Sequence, residues 1–224
     1  MRMIDQITCV FDDAAAKKWE AALLHACTSI DATARKLFPS QAGVGKRFVR
    51  CIRDYYWLVE PMMGVGFNLV DTRFSNVSLP NGNNAPDFAE LVYHIHRCSH
   101  AHGDEVPVEF SITPSMDAFH SSWKFAPNSV RIPDKVIWAL TAISVFSHVN
   151  YRLRGSGAPY RLFWGNEFYP ISEWWGREQE IKVIAIGWNT QRIEIKELSR
   201  LKTADPVTGS RVTLVSVAPP PKRP

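Results

Sequence analysis

Residues 93–105, YHIHRCSHAHGDE, hold four of the seven histidines in the chain. Three kinds of chemistry compete for them. The first is metal binding: His94, His96, His100 and His102 are spaced H-x-H-x-x-x-H-x-H. On a helix His96 and His100 share a face, as do Cys98 and His102. Two neutral imidazoles at that spacing can hold a metal, but no third ligand stands at a characteristic distance and there is no H-E-x-x-H. The second is a Cys98–His102 nucleophile pair; nothing flanking Cys98 matches a protease signature.

The third is the pair Arg97 and His102. Five helical steps separate them, which on an α-helix is about 140° around and about 7.5 Å along the axis. One helix end therefore cannot aim both groups into a pocket of its own; the cleft must wrap the end, or a second subunit must complete it. A histidine at a helix C-terminus is favoured as imidazolium by the dipole and is suited to proton transfer near neutral pH. An arginine stays charged and clamps phosphate oxygens with two parallel bonds. Together these are the minimum parts for splitting RNA without a metal. The 2′-hydroxyl attacks phosphorus, the histidine moves protons, and the arginine stabilises the growing phosphoryl charge. No cofactor is required.

The elements that must position these groups follow from apolar spacing. In FDDAAAKKWEAALLHACTSIDATARKLF (11–38), steps of three and four through Ala16, Trp19, Leu23, Ala26, Ile30, Ala34 and Leu37 predict one long amphipathic helix, with Asp12 or Asp13 as its cap. KRFVRCIRDYYWLVE (46–60) predicts a second, limited by Pro61. The polar loop 74–86 precedes a third helix over 87–102, capped by Asp87 and stopped by Gly103. VPVEFSI (106–112) and SSWKFAPNSVRI (121–132) alternate and predict a hairpin. A buried helix follows over 134–153. After Gly155 the texture turns to short strands, including EIKVIAIGW (180–188) and SRVTLVSV (210–217), so residues 156–218 are expected to form a small β-rich appendage and 219–224 a disordered tail. GVGKR (43–47) is too short for a phosphate-binding loop and no strand is expected before it. Trp174 and Trp175 fit a core plug or a dimer contact better than a base-stacking surface.

Composition sets the outer limits. The 224 residues are 46% hydrophobic and 21% charged, ordinary for a globular domain with its own core. Cysteines at 9, 27, 51 and 98 show no C-x-x-C pairing and read as small buried apolar residues. No apolar run approaches the roughly 20 residues of a membrane span, and the N-terminus lacks an apolar signal core, so a cytoplasmic protein is expected. Residues 151–224 carry 12 Lys/Arg against 7 Asp/Glu, a basic excess that can attract phosphates.

The stretch RCSHAHG (97–103), with SIDATARKLF (29–38) on the first long helix, resembles the HEPN superfamily (higher eukaryotes and prokaryotes nucleotide-binding). Its active members carry an arginine, four to six residues, then a histidine late in an all-α bundle. The order of hairpin and further helix after the motif is also similar. The resemblance covers residues 12–153. It implies a mostly α fold: an up-and-down helical bundle over 1–155, interrupted by the hairpin at about 106–132. It implies a homodimer whose Arg97/His102 pairs face each other across a shared cleft. Asp31 would hold Arg97, as acidic residues on the first helix do in the family. Of the other three histidines, His94 and His96 read as bystanders and His100 is the one expected to touch phosphate. The implied activity is metal-independent endoribonuclease action on RNA, in toxin–antitoxin or phage-defence settings where a cognate antitoxin protein is a further partner. Cys98 stands where many active members place a polar residue, often asparagine. A non-catalytic module of the same fold, binding RNA, a nucleotide or a protein, is the alternative, and a metal-dependent hydrolase a third.

Overall fold

The computed structural model describes residues 2–64, 68–97, 110–115, 120–155, 159–187 and 212–217. The fold is mostly helical with small sheets. Helices α1 (Met3–Ala15) and α2 (Trp19–Leu37) replace the single helix expected over 11–38. The break is a Schellman motif: Lys17 N donates to Ala14 O at 2.9 Å and Lys18 N to Asp13 O at 2.8 Å. Lys17 takes a φ of 59°, where glycine is usual, so no glycine marks the stop. Asp12 and Asp13 accordingly sit in the last turn of α1 and cap nothing at its start. His25 pins the two helices, bonding Gln6 Oε1 through Nδ1 at 2.9 Å and pairing with Asp13 at 3.4 Å. The expected apolar stripe is correct within α2, where Leu23, Ala26, Ile30 and Ala34 are buried.

The second expected helix also divides, into α3 (Val44–Asp54) and α4 (Tyr56–Met63). Pro61 lies inside α4 instead of limiting it. A proline there forgoes one intrahelical bond, to the carbonyl four residues back. The third helix begins as expected: Asp87 caps α5 (Phe88–Leu91), accepting from Glu90 N at 2.9 Å, while Glu90 reaches back to Asp87 N at 3.1 Å. From Val92 to Arg97 the chain is π-helical. The expected stop at Gly103 falls outside the described residues.

The hairpin is shorter than expected and differently built. Strands β2 (His120–Ala126) and β3 (Ser129–Pro133) pair antiparallel around Pro127–Asn128, with Asn128 at a φ of 49°. The earlier segment contributes β1 (Ile112–Thr113), which pairs with β3 in parallel, so it is no arm of the hairpin. Parallel pairing needs a long connection, and β2 supplies part of it. β6 (Val212–Val217) adds to the free edge of β2, giving the order β1-β3-β2-β6.

Helix α6 (Lys135–Phe146) is buried on nearly every side and forms the centre of the core. It ends before a 3₁₀ segment, His148–Leu153, where one continuous helix to 153 was expected. Strands β4 (Arg161–Trp164) and β5 (Glu167–Pro170) close through Gly165–Asn166, both at positive φ as a type I′ turn requires. After α7 (Ile171–Trp174), residues 178–187 form a helix, α8, and not the expected strand. Ile181 and Ala185, four apart, face the core, while Val183 and Ile186 are exposed. That burial pattern needs a period of 3.6, and the β-branched content of the segment yields to it. Trp175 is fully buried and Trp174 packs edge-on to Phe146 and Tyr169, so the pair plugs the core. One continuous apolar cluster runs from Ile7 to Ala185. Cys27 and Cys51 are buried, Cys9 is half-buried, and burial pushes the Cys51 thiol up. None of the described helices is long and apolar enough to cross a membrane.

Candidate functional site

The expected site begins where α5 gives way to the π-turn. Its start is anchored: Arg53 of α3 meets Asp87 at 2.6 Å and Glu90 at 3.0 Å, tying the cap to the neighbouring helix. Burial works against the Arg53 guanidinium, and the two carboxylates outweigh it, holding its charge more firmly. Bonds in a π-turn run to the fifth residue, so the helix is wider here than in the α-helical turn before it. Such turns concentrate at functional sites. Arg97 closes this turn. The side chains of His96 and Arg97, and all of Cys98, His100 and His102, lie outside the described residues. Asp31 is on α2, which packs against the π-turn.

Beside the turn is a groove of about 650 Å³. Lys46, Arg50 and Arg53 line it from one face of α3, spaced by four and three, with Asp54 and Glu90 as the opposing charges. Arg50 donates to Gln41 Oε1 at 3.0 Å and stacks 4.2 Å over Phe38. Lys46 forms no ion pair among the described residues. Tyr93 and His94 form the other wall. His94 Nε2 lies 3.0 Å from Asn81 Nδ2, and burial, opposed by Glu90, lowers the imidazole's affinity for a proton. Gly45 allows the close wall: a Cβ there would come 2.6 Å from the Tyr93 ring. GVGKR thus serves as a close-packing helix start, preceded by α2 and not by a strand. Among the described residues no group of three or more His, Cys, Asp or Glu side chains is placed to hold a metal.

A second cluster went unseen in the sequence. Glu178, at the start of α8, accepts from Tyr55 Oη at 2.7 Å, from the His148 backbone N–H at 3.1 Å and from His148 Nδ1 at 2.6 Å, all on one carboxylate oxygen. A phenol has one proton, so Tyr55 donates it to the carboxylate, and the Ser147 hydroxyl at 2.9 Å is its second partner. Glu178 is 12% exposed in its side chain and His148 is 64% exposed, so a covered acid holds an open imidazole. Burial works to raise the Glu178 carboxyl, and the bonds from Tyr55 and His148 outweigh it, holding it below the usual range. His148 also lines a cleft with Lys36 and Asn150, where Lys36 Nζ donates to Asn150 Oδ1 at 2.7 Å. Burial, then Arg35 beside it, lowers the Lys36 ammonium. Asn150 is fully buried and donates to Thr33 Oγ1 at 3.0 Å and Ser144 O at 2.8 Å, and Ser144 bonds Ser29 at 2.8 Å. A polar chain therefore runs from the core to the cleft. No spacing motif announces it, because the groups come from α2, α3–α4, the 3₁₀ segment and α8.

Two predictions arise here. A carboxyl held below its unfolded value of 4.5 adds stability above that value and loses it as pH falls through the folded value. Thermal unfolding of the wild type is therefore expected to steepen below about pH 4.5, and Glu178→Gln to flatten that limb; equal acid limbs in both proteins would contradict the assignment. Gly176 has a φ of 74°, and a Cβ there would stand 2.5 Å from the Tyr151 Cα. Gly176→Ala adds left-handed strain to a collision with backbone and is expected to cost about 2–4 kcal/mol in urea unfolding.

A family model described as Rv1289 matches residues 3–199. An uncharacterized protein of Mycobacterium tuberculosis is 35% identical over 174 residues, covering 75% of this chain and 80% of its own length. A Mycobacterium bovis protein matches with the same identity and coverage. No solved structure matches the fold. The matched span takes in α1 through α8, so the π-turn, its groove and the Glu178–His148 cluster all lie within it, and the chain belongs to the Rv1289 family.

Proposed function

We propose that this chain is a metal-independent endoribonuclease of HEPN type, with Arg97 and His102 as the reacting pair. The observation that supports it is the π-turn ending at Arg97 beside a groove lined by Lys46, Arg50 and Arg53. Cations spaced along one helix face track a phosphate backbone, and Tyr93 offers a ring at the wall. The ribose 2′-oxygen bonds to phosphorus, the bond from phosphorus to the 5′-oxygen breaks, and His102 moves the proton between them. Arg97 takes the charge on the phosphoryl oxygens. The products are a 2′,3′-cyclic phosphate and a 5′-hydroxyl. In this reading the working form is a cytoplasmic homodimer with RNA as substrate, and an antitoxin protein is its partner in a defence setting. Asp31 orients Arg97, and His100 contacts phosphate next to Cys98.

One observation favours a second reading, a non-catalytic module of the same fold. Arg53 spends its donors on Asp87 and Glu90, which leaves less of the groove's charge for phosphate. An RNA cleavage assay in excess EDTA separates the two, comparing wild type with Arg97→Ala and His102→Ala. Cyclic phosphate ends from the wild type alone support the nuclease. Binding of RNA without cleavage by any of the three supports the module. Cleavage unchanged in both variants removes these residues from the site.

A further inference from the structure

The cleft between Lys36 and His148 is about 700 Å³ and is built from parts that the RNA-cleaving pair does not use. Its cationic groups are Lys36 and Arg152, and His148 lines it with them. The nearest acid, Glu178, is already committed to three bonds through one oxygen. Among the described residues that line the cleft, Lys36 and Arg152 carry positive charge and none is a carboxylate, so the cleft selects an anion. Because His148 Nδ1 faces the carboxylate, the neutral ring carries its proton there and turns Nε2 outward; the protonated ring offers Nε2–H as a donor. Lys36 is held by Asn150, itself fixed in the buried chain of Thr33 and Ser144, so its ammonium is placed before any ligand arrives. Tyr151 is 56% exposed at the same wall, with Arg152 Nε bonded to its hydroxyl at 3.2 Å. An open ring beside fixed cations suits a ligand that joins a flat heterocycle to a phosphate.

We propose that this cleft is a binding site for a nucleoside monophosphate, distinct from the Arg97 groove. Lys36 and His148 take the phosphate, Tyr151 takes the base, and Glu178 is the positioning residue that sets the His148 tautomer. The Gly176 turn keeps the 3₁₀ segment close enough to form the wall, its N–H bonded to Val145 O at 2.9 Å and its missing Cβ giving room to Tyr151.

Calorimetric titration of the full chain with adenosine 5′-monophosphate, inorganic phosphate and adenosine tests the assignment. The monophosphate is expected to bind more tightly than either part. Lys36→Met and His148→Gln are each expected to weaken it about tenfold or more, since each removes a charge-assisted bond. Tyr151→Ala is expected to weaken the monophosphate and leave phosphate unchanged. Arg97→Ala is expected to bind it as the wild type does, which separates this site from the nuclease groove whether or not RNA is cleaved. Imidazole ¹⁵N shifts are expected to show the neutral His148 ring in the Nδ1–H form, and Glu178→Ala is expected to mix the two forms. No heat with the monophosphate at several millimolar, phosphate binding as tightly as the nucleotide, affinity unchanged in Lys36→Met/His148→Gln, or affinity lost in Arg97→Ala would each overturn the proposal.

Discussion

Trp123→Ala is expected to remove about 3–5 kcal/mol of stability, the range for emptying a fully buried large aromatic site. Trp123 is inaccessible to solvent and central to an aromatic cluster. It stacks on Phe125 at 6.0 Å and Phe74 at 6.2 Å and meets Phe88 edge-on at 6.1 Å. The cluster joins the sheet to the first turn of α5, so a cavity there loosens both layers. Close-packed surroundings relax only in part, which adds a cavity cost to the lost transfer energy. A domain of this size holds about 5–15 kcal/mol in total. The melting temperature is then expected to fall by roughly 6–20 °C at about 2–4 °C per kcal/mol. Phe88 carries the start of the segment that ends at Arg97, so the truncation is also expected to weaken any RNA cleavage. Trp123→Phe keeps a ring in the cluster and is expected to cost less than half as much. A full-length melt within 2 °C of wild type, at about 1 kcal/mol or below, would show that the cluster is not packed in this way.

His102→Ala is expected to slow RNA cleavage by about 10²–10⁴-fold, the usual contribution of a positioned acid–base group. At about 1.36 kcal/mol per decade this is roughly 2.7–5.4 kcal/mol of transition-state stabilisation. Arg97→Ala is expected to lose a comparable factor, because charge develops on the phosphoryl oxygens only as the reaction proceeds. Arg97→Lys keeps the charge and loses the two-pronged geometry, so an intermediate rate is expected. Melts of all three variants are expected to match the wild type, which is the control for folding. A rate drop accompanied by an equal drop in melting temperature would assign the effect to folding instead.

Much of the helical architecture is legible in the chain because it is set by residues a turn apart. The stripe through Leu23, Ala26, Ile30 and Ala34 predicts the buried face of α2. The Asp87/Glu90 box predicts the start of α5, and the dense apolar run 135–146 predicts a helix buried all round. The alternation around Trp123 and Phe125 predicts β2. Errors fall where a local rule meets a stronger contact. The Schellman turn at Lys17 uses a lysine where glycine is the usual signal, and its strain is offset by the packing of α1 against α2. The π-turn at 92–97 has no side-chain code of its own. The segment 180–187 has strand-like content, yet becomes helix because α4 offers a surface that Ile181 and Ala185 can cover together.

The candidate sites divide along the same line. Arg97 and His102 are adjacent enough in sequence for their spacing to carry a hypothesis, and the structure adds the π-turn, the anchor through Arg53 and the cationic groove beside it. Lys36, Tyr55, His148 and Glu178 could not be read in that way. Their partners are 92 to 123 residues apart along the chain for Tyr55 and 114 for Lys36. Short-range rules for helix, cap and turn act over four or five residues, and the sequence by itself determined what those rules govern: that the segments with a regular apolar stripe are helical, which of their faces are apolar and where one cap must stand. Only the tertiary structure decided where helices break, which strand edges pair and which distant polar groups meet, because those outcomes depend on burial shared between segments that no local pattern records.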